Sequence, residues 1–74
     1  MHTQRLTALI QKEGDRYVSL CPELDIASQG DTVEAARNNL SEAIELFYEC
    51  APMEEIERRL NSEVFITQIE VPVG

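Results

Sequence analysis

Hydrophobic and polar residues alternate along the first third of the chain as they do in β-strands. Residues 6–12 carry Leu, Ala and Ile at every second position, and residues 16–21 and 25–29 form two further runs of strand composition. The sequence Glu-Gly-Asp at 13–15 is a turn signal, because glycine accepts a positive φ. Gly30 is expected to break the third run. The pattern predicts an antiparallel meander of three strands joined by short loops.

After Gly30 the spacing of apolar residues becomes helical. They recur three and four positions apart, at Val33, Ala36, Leu40, Ala43, Ile44, Phe47 and Ala51. This spacing puts them on one arc and predicts an amphipathic helix of about five turns. Asp31 is expected to be the N-cap, with Glu34 completing a capping-box-like pair. Pro52 ends this helix or begins the next, and residues 53–61 are predicted to form a second, short helix.

Residues 63–73 return to strand composition. Because a helical connection precedes them, they are expected to join the sheet as a fourth strand, parallel to its neighbour through a right-handed crossover. The predicted fold is α+β in the order β-β-β-α-(short α)-β, as a single domain of residues 1–74. The helix covers one sheet face. Leu9, Val18 and Leu20 fall on the other, and a partly apolar uncovered face is a candidate interface.

Charge and length narrow the classes of function. Of the 74 residues, 14 are acidic and 6 are basic, giving a net charge of −8. This argues against direct nucleic-acid binding, which requires clustered Lys and Arg. It is compatible with a basic protein partner, or simply with keeping a small protein in solution. A domain of this size buries only ~60% of the surface of its unfolded chain, so a homo-oligomer, and in particular a dimer, is expected.

The remaining composition indicates an ordinary cytoplasmic protein. The N-terminus has no long apolar stretch of a signal peptide, and no run could span a bilayer. Cys21, Cys50 and His2 lack the spacing of a metal site, so neither a metal nor another cofactor is expected. Both thiols are interpreted as buried small apolar side chains.

The long helix also carries an acidic face. Glu34, Glu42, Glu45 and Glu49 project opposite the apolar arc. Like charges at helical neighbour spacing cost a few tenths of a kcal/mol per pair, which a basic partner would relieve. The alternative is a solvated face that Arg37 partly neutralises. Leu46 and Tyr48 flank the apolar arc, and they either widen the core or contact a partner. The candidate partner-binding residues are therefore Glu42, Glu45, Glu49, Leu46 and Tyr48.

Residues 17–32 read YVSLCPELDIASQGDT and resemble the HicB family. In that family a Y-V-x-x-x-P-E-L segment is followed by S-x-G-D-T and then by a helix with E-A, N-L and E-A-I. The corresponding residues here are Glu34-Ala35, Asn39-Leu40 and Glu42-Ala43-Ile44. The matching pattern covers residues 17–49.

The resemblance implies both a fold and a function. The fold would be a partial RNase H-like one, with three antiparallel strands, a helix and a parallel strand. The function would be that of an antitoxin, which neutralises a small basic mRNA-cleaving toxin of the HicA type by direct binding. HicB proteins commonly self-associate, and many carry a C-terminal DNA-binding segment of the helix-turn-helix or ribbon-helix-helix type. This sequence stops at Gly74, after the last strand, so operator binding by this chain alone is not expected.

Two other functions stay open. An active nuclease would need several carboxylates converging on divalent metal ions, and Glu23, Asp25 and Asp31 are the nearest in sequence. Each has a plainer role as a turn or cap residue, so no catalytic residues are expected and the chain is interpreted as a non-enzyme. The second alternative is an orphan structural module that only associates with itself.

Overall fold

The computed structural model describes residues 4–74 and has an α+β architecture. Three strands are followed by two helices. Their bounds are β1 Leu9–Glu13, β2 Arg16–Cys21, β3 Ile26–Gly30, α1 Val33–Cys50 and α2 Met53–Leu60. The strands form one antiparallel sheet in the order β1-β2-β3. The predicted meander and the two helices after it are therefore confirmed, although β1 begins three residues later than predicted.

The register of the sheet decides which side chains meet the helix. Leu9 lies opposite Leu20, and Ile10 lies opposite Ser19. Because side chains alternate between faces, Ile10, Ser19 and Cys21 point towards α1, while Leu9 and Leu20 point away from it. The hairpin between β1 and β2 turns at Gly14, whose φ of 64° is the left-handed conformation that the turn signal predicts.

The core lies between α1 and the C-terminal end of β2. Cys21, Leu24 and Leu40 are fully or almost fully buried. Leu6, Ile26, Ile44, Phe47, Tyr48 and Leu60 pack around them. The hydroxyl of Ser19 is buried among these apolar groups and donates to the carbonyl oxygen of Ala36 at 2.9 Å. This bond satisfies the one buried polar side chain on β2 and ties it to the helix.

Gly30 belongs to β3 rather than breaking it, which corrects the prediction. A Cβ at Gly30 would lie 2.5 Å from the backbone nitrogen of Ala36 and 2.7 Å from the carbonyl carbon of Ala35. The residue is glycine because the first turn of α1 crosses directly over the end of the strand.

The N-cap of α1 is Thr32, so the prediction that Asp31 caps the helix was wrong by one residue. The Thr32 hydroxyl accepts from the backbone N–H of Ala35 at 2.9 Å. Asp31 stands one position too early to reach that N–H. Its carboxylate instead lies 3.3 Å from the guanidinium of Arg16 at the surface.

Arg59 fixes α2 against the rest of the fold. Its Nη1 donates to the carbonyl oxygen of Leu24 at 2.7 Å, and its Nε donates to Glu55 at 2.7 Å. The guanidinium also stacks 4.8 Å from the centre of the Phe47 ring. One side chain therefore joins α2 to the turn between β2 and β3 and to the end of α1, and Ile56 is buried beneath it.

Residues 63–74, called the C-terminal arm below, form no strand in the structure. The sheet of the described residues has three strands, so the predicted fourth parallel strand is absent from it. Every residue of the arm is exposed; Phe65 and Ile69 expose 83% and 81% of their surface. Composition indicates that such a segment favours strand pairing, but it does not indicate which edge, or which molecule, supplies the partner.

Candidate partner-binding surfaces

The outward side of α1 carries four residues that we call the acidic face: Glu42, Glu45, Leu46 and Glu49. At 100° per residue they fall within an arc of about 100°, opposite the arc that contains Leu40 and Ile44. All four are exposed, and Leu46 exposes 59% of its surface. Four of the five predicted partner-binding residues therefore lie together, with an apolar side chain among the three carboxylates.

No cation neutralises the acidic face within residues 4–74. The ion pairs among residues 4–74 lie elsewhere and join Arg16 to Asp31, and Arg58 and Arg59 to Glu55. The last turn of α1 has no basic residue, and its free carbonyl groups add the negative end of the helix dipole. The face is therefore a strongly electronegative surface around one exposed leucine.

Tyr48 lies elsewhere. It packs against the core, with its ring 5.9 Å from that of Phe47 in an edge-to-face arrangement. Its hydroxyl is buried and has no hydrogen-bond partner among the described protein atoms. Burial, with a smaller effect of Cys21, raises the pKa of the Tyr48 hydroxyl. Of the two roles considered for this residue, the structure therefore shows the one that widens the core.

The outer face of the sheet forms an apolar groove of about 530 Å³. Leu9, Val18, Leu20 and Ala27 line it, and Leu9 and Leu20 remain 44% and 37% exposed. The alternation along the strands predicted Leu9, Val18 and Leu20 on this face. Ala27 was missed, although its position opposite Leu20 in the register would have identified it.

A second groove, of about 320 Å³, lies between α1 and the stretch that leads into β1. Leu6, Ala8, Leu40 and Ile44 supply its apolar lining, and Arg37 and Glu45 are at its rim. Sequence reasoning could not find this groove, because it depends on how far the helix stands from the first strand. The first groove crosses all three strands on the outer face, and the second lies on the α1 side, just ahead of β1.

Glu23 has a structural role at the turn after β2. Its carboxylate accepts from the backbone N–H of Thr7 at 3.1 Å and from the Thr7 hydroxyl, and it lies 3.6 Å from the thiol of Cys21. Burial by itself would raise the pKa of Glu23, but the hydrogen bonds from Thr7, from the backbone of Glu23 and from Cys21 outweigh it and hold the pKa below its usual value.

The three carboxylates considered for a nuclease site have separate surroundings. Glu23 bonds Thr7, Asp25 occupies a left-handed turn position with φ of 56°, and Asp31 pairs with Arg16. In the part of the chain described, no three His, Cys, Asp or Glu side chains are grouped as a metal ion would require. His2 lies outside the described residues.

The two cysteines differ in exposure. Cys21 is buried, and burial together with the neighbouring Glu23 raises its pKa. Cys50 is exposed near the end of α1, so the prediction that both thiols are buried was wrong for this residue. The helical pattern alone does not decide this, since at 100° per residue Cys50 falls only about 20° beyond Ala43 at the edge of the apolar arc.

These features define a small α+β protein whose sheet is covered on one face by α1, with α2 held against the turn between β2 and β3. Over residues 4–74, neither helix is both long and apolar enough to cross a membrane. The chain is 39% identical over 69 residues to a UPF0150 protein of Synechocystis sp., and the similarity covers 90% of this chain and 94% of that protein. The chain therefore belongs to the UPF0150 family. No family model matches the sequence, and no solved structure matches it.

Proposed function

We propose that this chain is an antitoxin of the HicB type, a protein-binding module without catalytic activity that acts in the cytoplasm. In this proposal it neutralises a small, basic, mRNA-cleaving toxin of the HicA type by direct binding. The observation that carries the proposal is the acidic face: three exposed carboxylates without a cation partner in residues 4–74, surrounding Leu46. The resemblance of residues 17–49 to the HicB family supports it.

The acidic face is suited to capture a basic protein. Its carboxylates would attract a cationic surface over several ångströms and speed the encounter, an effect that salt weakens. Leu46 would then be buried at the centre of the contact, where desolvated apolar groups contribute most to affinity. A toxin whose basic RNA-binding surface is covered in this way could no longer bind its substrate.

The proposal also includes a complete sheet. Residues 63–74 would add a fourth strand parallel to β1 and give the partial RNase H-like fold that the resemblance implies. Two features support this: the arm is rich in exposed apolar residues, and β1 has no second neighbour in the described sheet. We further propose that the protein is a homo-oligomer, with the dimer as its basic unit.

The test is affinity capture from a lysate of the source organism, followed by an RNA-cleavage assay on any small basic protein retained. The expected result is a ribonuclease that the chain inhibits. A triple variant, Glu42→Lys, Glu45→Lys and Glu49→Lys, should bind that ribonuclease far more weakly at low salt. The matched control, Glu13→Lys, Glu54→Lys and Glu57→Lys, changes the net charge equally at exposed residues outside the acidic face and should bind almost as well.

The other outcomes point to other functions. Equal loss in both triple variants would mean that net charge, and not the acidic face, governs binding. Recovery of the chain alone would favour the orphan self-associating module, which the exposed apolar arm and outer sheet face also support. RNA cleavage by the purified chain itself, dependent on Mg²⁺ or Mn²⁺, would favour a nuclease relative.

A further inference from the structure

The C-terminal arm has the composition of a strand that is buried on both faces. Val64 and Ile66 alternate with Phe65, Ile69 and Val71, so each face of an extended arm carries large apolar side chains. A strand with only one covered face would alternate apolar with polar residues instead. All five of these side chains are exposed in the structure, which is unfavourable for a segment of this composition in water.

The edge of β1 offers the matching site. The order β1-β2-β3 leaves the outer edge of β1 without a strand neighbour among residues 4–74, so its backbone N–H and C=O groups can pair with an added strand. Apolar side chains lie near this edge on both sides of the sheet. The groove beside α1 is lined by Leu6, Ala8 and Ile44, and the outer groove by Leu9 and Leu20. A strand added here would bury apolar side chains on both of its faces.

The arm is not paired with this edge in its own chain, since residues 63–74 form no strand. Ser62, the residue before the arm, lines the same surface depression as Pro22 and Asp25 in the turn between β2 and β3. The molecule measures 49 × 28 × 20 Å, and its radius of gyration of 14.5 Å exceeds the roughly 11 Å of a compact domain of this length. Since α1 accounts for only about 27 Å, the long axis requires the arm to point away from the body.

We propose that the C-terminal arm adds as a strand to the outer edge of β1 in a second copy of this chain. A reciprocal exchange about a two-fold axis pairs both arms and both edges and leaves neither exposed. The second copy is the fitting occupant because the arm is apolar, exposed and extended away from its own body, where it has no strand partner. The inference rests on the part of the proposed function that makes the arm a strand, and it is independent of toxin binding.

The first measurement is the mass of the purified full chain by sedimentation equilibrium. The expected mass is twice that of one chain. Thr67→Pro, at the middle of the arm, removes a backbone donor and should weaken dimerisation by roughly 100-fold or more. Val73→Pro, beyond Pro72, is the matched control and should leave the dimer intact. Because the arm is exposed, the helical circular dichroism of both variants should equal that of the parent chain.

The second measurement distinguishes exchange from pairing within one chain. Gln68→Cys is introduced in one copy and Gln11→Cys in an affinity-tagged copy, both on a Cys50→Ser background. These positions are the midpoints of the arm and of β1, so they lie near each other whichever way the strands run. A short bismaleimide should join tagged to untagged chains after the two are unfolded and refolded together. Cys21 is buried and should not react.

Three results would overturn the proposal. The full chain could be a monomer at every concentration tested. The dimer could persist undiminished in Thr67→Pro. A single chain carrying both cysteines could cross-link only internally while the mixed copies do not cross-link, which would assign the arm to its own sheet. None of these results bears on capture of a ribonuclease, so the two proposals fail independently.

Discussion

At the scale of single residues, close approach between elements decides identities that periodicity leaves undetermined. Gly30 is required because its missing side chain lets Ala35 and Ala36 pass directly over β3. Gly14 is required for a different reason, since its backbone is left-handed while the space around it is open. The same residue type therefore serves packing at one position and conformation at the other.

Gly30→Ala should destabilise the protein more than Gly14→Ala. The Gly30 substitution forces α1 away from the sheet, and overpacking of this kind costs about 3 kcal/mol. The Gly14 substitution adds only the left-handed penalty of about 1 kcal/mol. Urea denaturation of both variants would measure the two losses in the free energy of unfolding. The reverse order would show that α1 moves aside without appreciable cost.

At the scale of elements, α2 is held by polar contacts as much as by its short apolar stripe. Ile56 is buried, but Met53 at the start of the helix is 65% exposed. Arg59 compensates by reaching the Leu24 carbonyl and the Phe47 ring at once. Arg58, its neighbour, is exposed, and its hydrogen bonds and ion pair are all made with the same Glu55.

These two arginines make a matched pair for testing how α2 is attached. Arg59→Ala should lower the free energy of unfolding by about 2 kcal/mol, since a charged hydrogen bond to a buried turn and a cation–π contact are lost. Arg58→Ala removes an exposed ion pair and should change the free energy of unfolding little. Thermal unfolding followed by circular dichroism measures both, and equal losses would mean that Arg59 contributes only its surface charge.

At the scale of the whole molecule, Glu23 makes a junction at one end of the sheet sensitive to pH. It joins the stretch before β1 to the turn after β2, and its pKa is lowered in the folded state. A carboxyl group with a lowered folded pKa stabilises the fold above its usual pKa of 4.5, and this contribution is lost as the pH falls through the lowered value. The hydrogen bonds at this junction should therefore weaken on acidification.

Glu23→Gln isolates that contribution. At neutral pH the variant should be less stable than the parent chain by about 1.5 kcal/mol, the lower range for a hydrogen bond to a charged group. The difference should shrink towards zero as the pH is lowered through the folded pKa of Glu23. Glu63→Gln, in the exposed arm, is the control and should differ little at any pH. If the difference in stability between Glu23→Gln and the parent chain stays constant down to low pH, the Glu23 carboxylate is not the cause of that difference.

Much of the fold could be predicted because its signals are local. The strands of the meander follow from alternation and the Gly14 turn, and both helices follow from apolar spacing and from Pro52. The acidic face follows from the same helical geometry. The structure differed at the N-cap by one residue, at Cys50, which is exposed, at Gly30, which belongs to β3, and in residues 63–74, which form no strand. Asp31 and Thr32 are adjacent, and both residue types cap helices, so the sequence alone does not decide between them.

The sequence by itself determined the α+β class, the order of three strands and two helices, and which side of α1 is acidic, because each depends on residues a few positions apart. Only the tertiary structure decided that Tyr48 faces the core, that Gly30 lies under α1, and that an apolar groove lies on each side of the sheet. Those features depend on the distance between elements far apart in sequence. The position of the C-terminal arm likewise depends on tertiary structure. Its composition indicates that it pairs as a strand but does not say with which edge.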